Sequence, residues 1–195
     1  MLSDYCDNEH TDKNTRHSYL DLYESLFQGK KETATHVLEV GIGYPPYNGG
    51  SIKMWEKFFL NAQIYALDII PITDVWADIL HQHRIHIYAA INAYDPHVFK
   101  RLFLHKPVRF DILLDDGPHT LESMVAFITL YSRVMKPDGI LVIEDVQSMD
   151  WIDVLRTHTP ESLKPFIEVY DLREKKGRYD DIVFVINKTQ KSLKT

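Results

Sequence analysis

The chain has 195 residues, of which 45% are hydrophobic and 26% are charged, the composition of an ordinary globular domain with a full core. A net charge of -6 disfavours a protein that binds the phosphates of nucleic acid, because such a protein needs a basic face. The lone Cys6 excludes an internal disulfide and fits a reducing compartment. The polar N-terminus and the short apolar runs indicate neither a signal peptide nor a membrane helix, so we expect a cytoplasmic protein with no membrane partner.

Short β-branched apolar runs alternate with longer amphipathic ones along the chain. Strands are predicted at 36–43, 62–69, 84–90, 108–117, 140–145, 165–173 and 180–188, and helices at 51–59, 72–83, 95–103, 120–135 and 148–158. Ser51 is a plausible N-cap for its helix, while Asp95 and Pro96 open another. PDG at 137–139 is a predicted turn, and the last two strands are expected to form a hairpin around the charged spacer 174–179.

This order of elements predicts an α/β fold with a seven-stranded, mostly parallel sheet, helices on both faces and a C-terminal antiparallel hairpin strand. We divide the chain into an N-terminal helical segment at 1–34, one domain at 35–188 and a flexible tail at 189–195. Ligands bind such sheets beyond the carboxyl ends of the strands. Charged residues gather at four of these ends, which predicts one site fed by four strands.

The glycine turn after the first strand departs from the dinucleotide fingerprint. Gly41 and Gly43 fill its first two places, but Pro46 stands where the third glycine belongs. Asp68 ends the second strand, where an acid can accept hydrogen bonds from both hydroxyls of a ribose. Each feature alone also fits an ordinary turn or a solvated strand end. Together, they favour an adenosine-type cofactor without a pyrophosphate.

Pairs of carboxylates follow two neighbouring strands. Asp115 and Asp116 belong to DDGPH, and Glu144 and Asp145 belong to IED. Since adjacent strands lie about 4.8 Å apart, Asp116, Glu144 and Asp145 can share one ion, and oxygen ligands suit Mg²⁺. Such an ion lowers the pKa of a hydroxyl, and His119 is placed to take its proton. The alternative is a common DDG turn, a helix-capping histidine and a strand that ends in solvent.

Four segments, VLEVGIG, IYALDI, FDILLDDG and VMKPDGILVIED, resemble class I S-adenosylmethionine-dependent methyltransferases, over Thr35 to Asp145 and in the terminal hairpin. Within that superfamily the chain most resembles the metal-dependent sugar O-methyltransferases of antibiotic biosynthesis. The segment TDKNTRHSYLDLYESLF, the glycine turn with the second strand, and DDGPH with IED carry this resemblance. It implies a Rossmann-like methyltransferase domain at 35–188 that uses S-adenosyl-L-methionine and Mg²⁺, or a similar divalent cation, to methylate a sugar-bearing small molecule.

The resemblance also implies roles for individual residues. Asp116, Glu144 and Asp145 match the metal ligands, and His119 matches the general base, with Asp116 also at the catalytic centre. Cofactor contacts are expected at Glu39, Gly41, Gly43, Ser51, Asp68, Asn92 and Asp115. Asn92 stands where the family often has an acidic residue near the adenine. Asp115 either caps the turn or contacts the amino acid moiety of the cofactor.

Substrate contacts are expected at Lys13, His17, Tyr47 and Trp151. Lys13 and His17 could reach over the cofactor as part of a lid at 1–34. Alternatively, that segment is a helix that covers the sheet edge with an apolar face made of Tyr19, Leu20, Tyr23, Leu26 and Phe27. Tyr47 equally fits plain packing in a loop, and Trp151 also fits packing in the core or at the surface.

Three other functions share these features. One is a methyltransferase that acts on another small molecule, on RNA or on protein, although the acidic charge disfavours nucleic acid. Another is a nucleotide-dependent oxidoreductase of the same fold class, against which the broken fingerprint counts. The third is a binding module without catalysis. A homo-oligomer is plausible from the resemblance alone.

Overall fold

The computed structural model describes residues 1–45 and 47–189. The strands are β1 (His36–Val40), β2 (Gln63–Leu67), β3 (Ile85–Tyr88), β4 (Phe110–Asp115), β5 (Met135–Ile143), β6 (Ile167–Asp171) and β7 (Ile182–Asn187). The α-helices are α1 (Leu20–Phe27), α2 (Gly50–Phe58), α3 (Ala77–Leu80), α4 (Pro96–Phe99), α5 (Leu121–Tyr131), α6 (Asp150–His158) and α7 (Arg173–Lys176). A π-helical turn, Lys100–Leu104, follows α4. Shorter 3₁₀ turns are Leu2–Tyr5, Gln28–Lys30, Ile72–Asp74, Ser132–Val134 and Lys164–Phe166.

The predicted fold class is confirmed, because the strands form one seven-stranded sheet in the order β3-β2-β1-β4-β5-β7-β6. By contacts the chain divides into two compact units, Met1–Ala93 and Tyr94–Thr195. The division predicted from sequence, at 34/35 and 188/189, stays a prediction, and residues 190–195 of the expected tail lie outside the described residues. Along the described residues, no helix combines the length and the apolar character needed to cross a membrane.

The first unit contains three parallel strands, with β2 paired to β1 on one side and to β3 on the other. The predicted apolar faces of α1 and α2 are buried: Tyr19, Leu20, Tyr23, Leu26, Phe27, Ile52, Trp55, Phe58 and Phe59. Several of these rings form one cluster, in which Trp55 meets Tyr23 and Phe27 edge-on, each with centroids 5.7 Å apart. Aromatic burial therefore holds α1 against α2.

The expectation that Ser51 caps α2 is wrong. The helix starts at Gly50 after Gly49, whose φ of +76° is left-handed, and the Gly50 amide donates to the carbonyl of His10 at 3.1 Å. A side chain at Gly50 would lie 2.5 Å from that carbonyl oxygen, so the close approach requires glycine. A backbone group from the N-terminal segment thus does the capping, and Ser51 is free to bond elsewhere.

The helix predicted at 72–83 is mostly absent, since only Ile72–Asp74 and Ala77–Leu80 are helical. Asn48 explains the interruption. Its side-chain nitrogen donates to the carbonyl of Asp74 at 3.0 Å, and its oxygen accepts from the amide of Trp76 at 2.7 Å. These bonds take backbone groups that a continuous helix would use.

The second unit pairs β4 with β5 in parallel, and β7 lies antiparallel to both β5 and β6. PDG was predicted as a turn before the strand but lies inside β5. The register jumps from Met135, opposite Phe110, to Ile140, opposite Ile112, so residues 136–139 bulge from the pair. The predicted hairpin is confirmed, although α7 takes the last residue of the predicted strand and the first half of the spacer.

Candidate active site

The glycine turn of the first unit is closed by Asp68. Its Oδ2 accepts hydrogen bonds from the amides of Ile42 at 2.6 Å and Gly43 at 3.2 Å. The turn needs its glycines, because Gly41 and Gly43 have φ of +103° and +93°. Asp68 is partly exposed beside this turn. The turn and its acid are thus brought together as the sequence predicted, and their contacts with an adenosine cofactor stay a prediction.

Glycine substitutions distinguish the cost of a left-handed backbone from the cost of steric overlap with a new Cβ. We expect Gly177→Ala, at φ +73° with nothing within 4 Å, to lower the free energy of unfolding by about 1 kcal/mol, the penalty for a left-handed L-residue. Gly43→Ala should cost more, because its new Cβ would also lie 2.2 Å from the Tyr47 carbonyl oxygen. Gly29→Ala meets neither constraint and serves as the control. Urea unfolding of the three variants checks this ranking, and equal stability of Gly43→Ala and Gly29→Ala would contradict it.

Glu39 is the centre of a buried polar network in the first unit. Its Oε1 accepts from the Ser51 hydroxyl at 3.0 Å and lies 3.4 Å from Nζ of Lys13. Its Oε2 accepts from the Trp55 indole at 2.6 Å. Both side chains of the ion pair are fully buried. The network joins two expected cofactor residues, Glu39 and Ser51, to the expected substrate residue Lys13, and their ligand contacts stay predictions.

The remaining expected residues of the first unit have different surroundings. His17 is buried, stacks on Tyr19 with centroids 4.8 Å apart, and lies 3.8 Å from a carboxylate oxygen of Asp12. Tyr47 is partly buried beneath the Arg16 guanidinium, which is 5.2 Å from its ring centroid. Asn92 is exposed after β3. These placements leave the predicted cofactor and substrate contacts untested.

In the second unit, the carboxyl ends of β4 and β5 bring together Asp116, His119 and Asp145. One possible ligand atom from each lies within 4.8 Å of the others. Nε2 of His119 is 3.2 Å from Oδ1 of Asp116 and 3.4 Å from Oδ2 of Asp145. We name these three residues the acidic triad. The sequence predicted that Asp116 and Asp145 meet beside His119, with Glu144 as a third carboxylate, because adjacent parallel strands end at the same edge of a sheet.

The backbone of the acidic triad is strained. Three non-glycine residues of the described chain have positive φ, and two of them are His119 and Asp145, both at +53°. A left-handed conformation costs an L-residue about 1–2 kcal/mol and persists where the surroundings enforce it. The fold therefore holds these two side chains in place against a local preference, as is common at functional sites.

The charges of the acidic triad control the protonation of His119. Burial lowers the pKa of its imidazole, but the hydrogen bond and charge of Asp116, with the charges of two further aspartates, outweigh burial and raise the pKa to about 9. The ring is thus a cation held between carboxylates when no other cation is present. Burial also raises the pKa of the Asp115 carboxyl, to about 7, against the hydrogen bond from Tyr94, which lowers it.

Two other predicted residues lie near the same strand ends. Glu144 is buried, and its amide donates to the carbonyl of Asp115 at 3.0 Å. Within the described chain its carboxylate is not grouped with the acidic triad, so its role as a metal ligand stays a prediction. Trp151 lies half-buried in the first turn of α6, and its substrate contact is likewise untested.

Tyr94 is a site residue that the sequence did not reveal. Its hydroxyl donates to Oδ1 of the buried Asp115, and burial raises the pKa of this phenol well above its usual range. Tyr94 lies two positions before the start of α4, and 21 positions separate it from Asp115. No local pattern signals such a contact, since a tyrosine beside a helix start is ordinary.

The donors of the acidic triad fit a divalent cation. Asp116 and Asp145 offer carboxylate oxygens, the ligands that Mg²⁺ prefers, and His119 places a ring nitrogen beside them. Two clustered carboxylates are costly to bury unless a cation balances their charge. In the absence of metal, the raised pKa of His119 lets its proton supply that positive charge.

The architecture is that of a class I, Rossmann-like methyltransferase. It matches the MycE methyltransferase of the mycinamycin biosynthetic pathway with a TM-score of 0.73, over 95% of this chain and 54% of that one. The two share 23% sequence identity, so the match establishes the fold. The MycE structures are complexes with Mg and SAH, and one of them also holds mycinamycin VI.

Sequence comparison identifies more specific relatives. The chain is 33% identical, over 72% of its length, to 8-demethyl-8-alpha-L-rhamnosyl tetracenomycin-C 2'-O-methyltransferase of Streptomyces olivaceus. It is 31% identical, over 69% of its length, to mycinamicin VI 2''-O-methyltransferase of Micromonospora griseorubida. It spans 36% and 33% of these two relatives, about a third of their length. No family model matches. The resemblance to sugar O-methyltransferases is thereby confirmed.

Proposed function

We propose that the protein is an S-adenosyl-L-methionine-dependent O-methyltransferase that methylates a hydroxyl of a sugar or a glycosylated small molecule, with Mg²⁺ assistance and His119 as general base. The acidic triad carries this proposal, since it unites carboxylates suited to a divalent cation with a proton acceptor. The similarity to rhamnosyl and mycinamicin O-methyltransferases supports the sugar-bearing acceptor. The single Cys6 supports a cytoplasmic setting. The oligomeric state stays a prediction from resemblance.

Each unit has its own part in the proposed reaction. Gly41 and Gly43 let the cofactor approach the backbone, and Asp68 offers a carboxylate for its ribose. Asp116 and Asp145, with Glu144 as the third predicted ligand, would hold the divalent cation. When bound, Mg²⁺ supplies a Lewis acid that lowers the pKa of an acceptor hydroxyl. Nε2 of His119 takes the hydroxyl proton, and Asp116, whose Oδ1 lies 3.2 Å from that nitrogen, then accepts a hydrogen bond from the imidazolium that forms.

The charge balance of the acidic triad sets a condition for this assignment. A proton acceptor must be neutral, whereas the aspartates raise the pKa of His119 to about 9. A cation held by the same carboxylates offsets their charge, so the proton on Nε2 is no longer needed there. Occupation by metal and the neutral state of His119 are therefore coupled.

We expect Asp116→Asn to weaken Mg²⁺ binding and to lower methyl transfer by about 100-fold, because it removes one anionic ligand without changing the shape of the side chain. Transfer of a labelled methyl group to a panel of glycosides and nucleotide sugars measures the rate. Asp150→Asn, an exposed aspartate at the start of α6 in the same unit, is the matched control. Undiminished transfer by Asp116→Asn, or by the wild type in EDTA, would contradict the metal role.

A thermal-shift panel separates this function from its rivals. S-adenosylmethionine and S-adenosylhomocysteine should raise the melting temperature, because a ligand that binds only the folded state stabilises it. NAD should not, since the third glycine of the fingerprint is missing. Each ligand is tested with and without Mg²⁺. Stabilisation by NAD alone would favour an oxidoreductase.

A further inference from the structure

We propose that Tyr94 is a positioning residue for the DDGPH turn at 115–119, here called the metal-binding turn, which it fixes by holding Asp115. The inference rests on the proposed function, because it assumes that the neighbouring Asp116 and Asp145 bind a divalent cation. Nothing in the sequence pattern assigns Tyr94 a role, and the contact lies wholly within the second unit.

The backbone next to Tyr94 is fixed by the start of α4. Asp95, the next residue, caps α4 by accepting from the amide of His97 at 2.7 Å, and Pro96 fixes the first helical position. The Tyr94 hydroxyl donates to Oδ1 of Asp115, the last residue of β4. An anchored helix start is thereby connected to the carboxyl end of the strand that leads into the acidic triad.

Gly117 shows how closely the tyrosine approaches the metal-binding turn. A Cβ added there would lie 1.8 Å from the Tyr94 hydroxyl oxygen and 2.9 Å from the carbon that bears it. The phenol thus occupies the space that a side chain at position 117 would fill. The φ of Gly117 is not positive, so its backbone conformation does not require glycine. The close approach of Tyr94 requires it.

Asp115 connects Tyr94 to both aspartates of the acidic triad. Its side chain is buried and takes the tyrosine hydroxyl, while its carbonyl accepts from the amide of Glu144 at 3.0 Å. It directly precedes Asp116, and its carbonyl bonds to the residue directly before Asp145. Outer groups that orient metal ligands without binding the metal themselves typically contribute about 10- to 100-fold to metal affinity.

Tyr94→Phe keeps the ring and removes only the hydroxyl. We expect it to raise the Mg²⁺ dissociation constant by about 10- to 100-fold, measured by titration calorimetry with the metal alone on protein whose fold is verified by its melting curve. Tyr170→Phe is the matched control, because the Tyr170 hydroxyl also donates to a carboxylate, that of Glu168 at 2.6 Å on β6. It should bind Mg²⁺ like the wild type.

A double-mutant cycle tests whether Tyr94 acts through Asp115. If it does, adding Asp115→Asn to Tyr94→Phe weakens binding less than the two separate effects multiplied. Fully multiplicative effects, or wild-type affinity in Tyr94→Phe, overturn the inference. If Tyr94→Phe fails to fold, wild-type affinity in Asp115→Asn overturns it instead. A wild-type protein that binds no Mg²⁺ overturns the proposed function itself, which is a distinct result.

Discussion

His119→Asn is expected to fold like the wild type and to lower kcat by about 100- to 10,000-fold, the usual contribution of a positioned general base. Asparagine tolerates the left-handed conformation better than most residues, so the backbone at φ +53° is preserved. It lacks the nitrogen that, in the wild type, lies 3.2 Å from Asp116 and 3.4 Å from Asp145. The measurement is kcat with labelled methyl donor at saturating Mg²⁺, beside the melting temperature.

Two further variants test whether the loss of kcat comes from the missing base. His158→Asn removes an exposed histidine of α6 in the same unit and should leave kcat unchanged. His119→Gly relieves the strained backbone and leaves a space where the histidine side chain stood. Because that side chain is 29% exposed, added imidazole can enter and should restore part of the rate. A structural role for His119 would not respond to imidazole. Wild-type turnover by His119→Asn would contradict the assignment of the base.

The acidic triad was predictable because it depends on fold topology rather than on side-chain detail. Once alternating strands and helices imply a parallel sheet, the residues that end neighbouring strands must share an edge. Asp116 and Asp145 follow two such strands, and His119 follows Asp116 by three positions in a tight turn. The apolar face of α2 was predictable for a similar reason, since it depends only on helical spacing.

What the sequence did not predict depends on contacts between distant positions. Ser51 looks like a cap, but the carbonyl of His10 caps the helix, because Gly49 and Gly50 allow the N-terminal segment to approach. The contact of Tyr94 with Asp115 joins positions 21 residues apart, and nothing near either residue announces it. Asn48 similarly interrupts the helix expected at 72–83. In each case a side chain or carbonyl from elsewhere overrides a local preference.

The buried pair of Lys13 and Glu39 predicts the largest loss of stability. We expect Glu39→Gln to lower the free energy of unfolding by about 3–5 kcal/mol, because it leaves a buried ammonium without the carboxylate charge 3.4 Å away. It also weakens the acceptor that Ser51 and Trp55 share. Urea unfolding with a constant m-value measures the change. Glu161→Gln is the control, because it breaks an ion pair with Lys164 whose glutamate is exposed to solvent.

The double variant Lys13→Met with Glu39→Gln distinguishes a structural role from a cofactor role. Removing both charges removes the penalty of an ammonium that has lost this carboxylate, so stability should recover most of the loss. If the affinity for S-adenosylmethionine recovers with it, the affinity lost in Glu39→Gln came from destabilisation around the buried Lys13 and not from a missing cofactor contact. If stability recovers while affinity stays low, Glu39 contacts the cofactor, as the sequence predicts. A Glu39→Gln protein as stable as Glu161→Gln would contradict the importance of the buried pair.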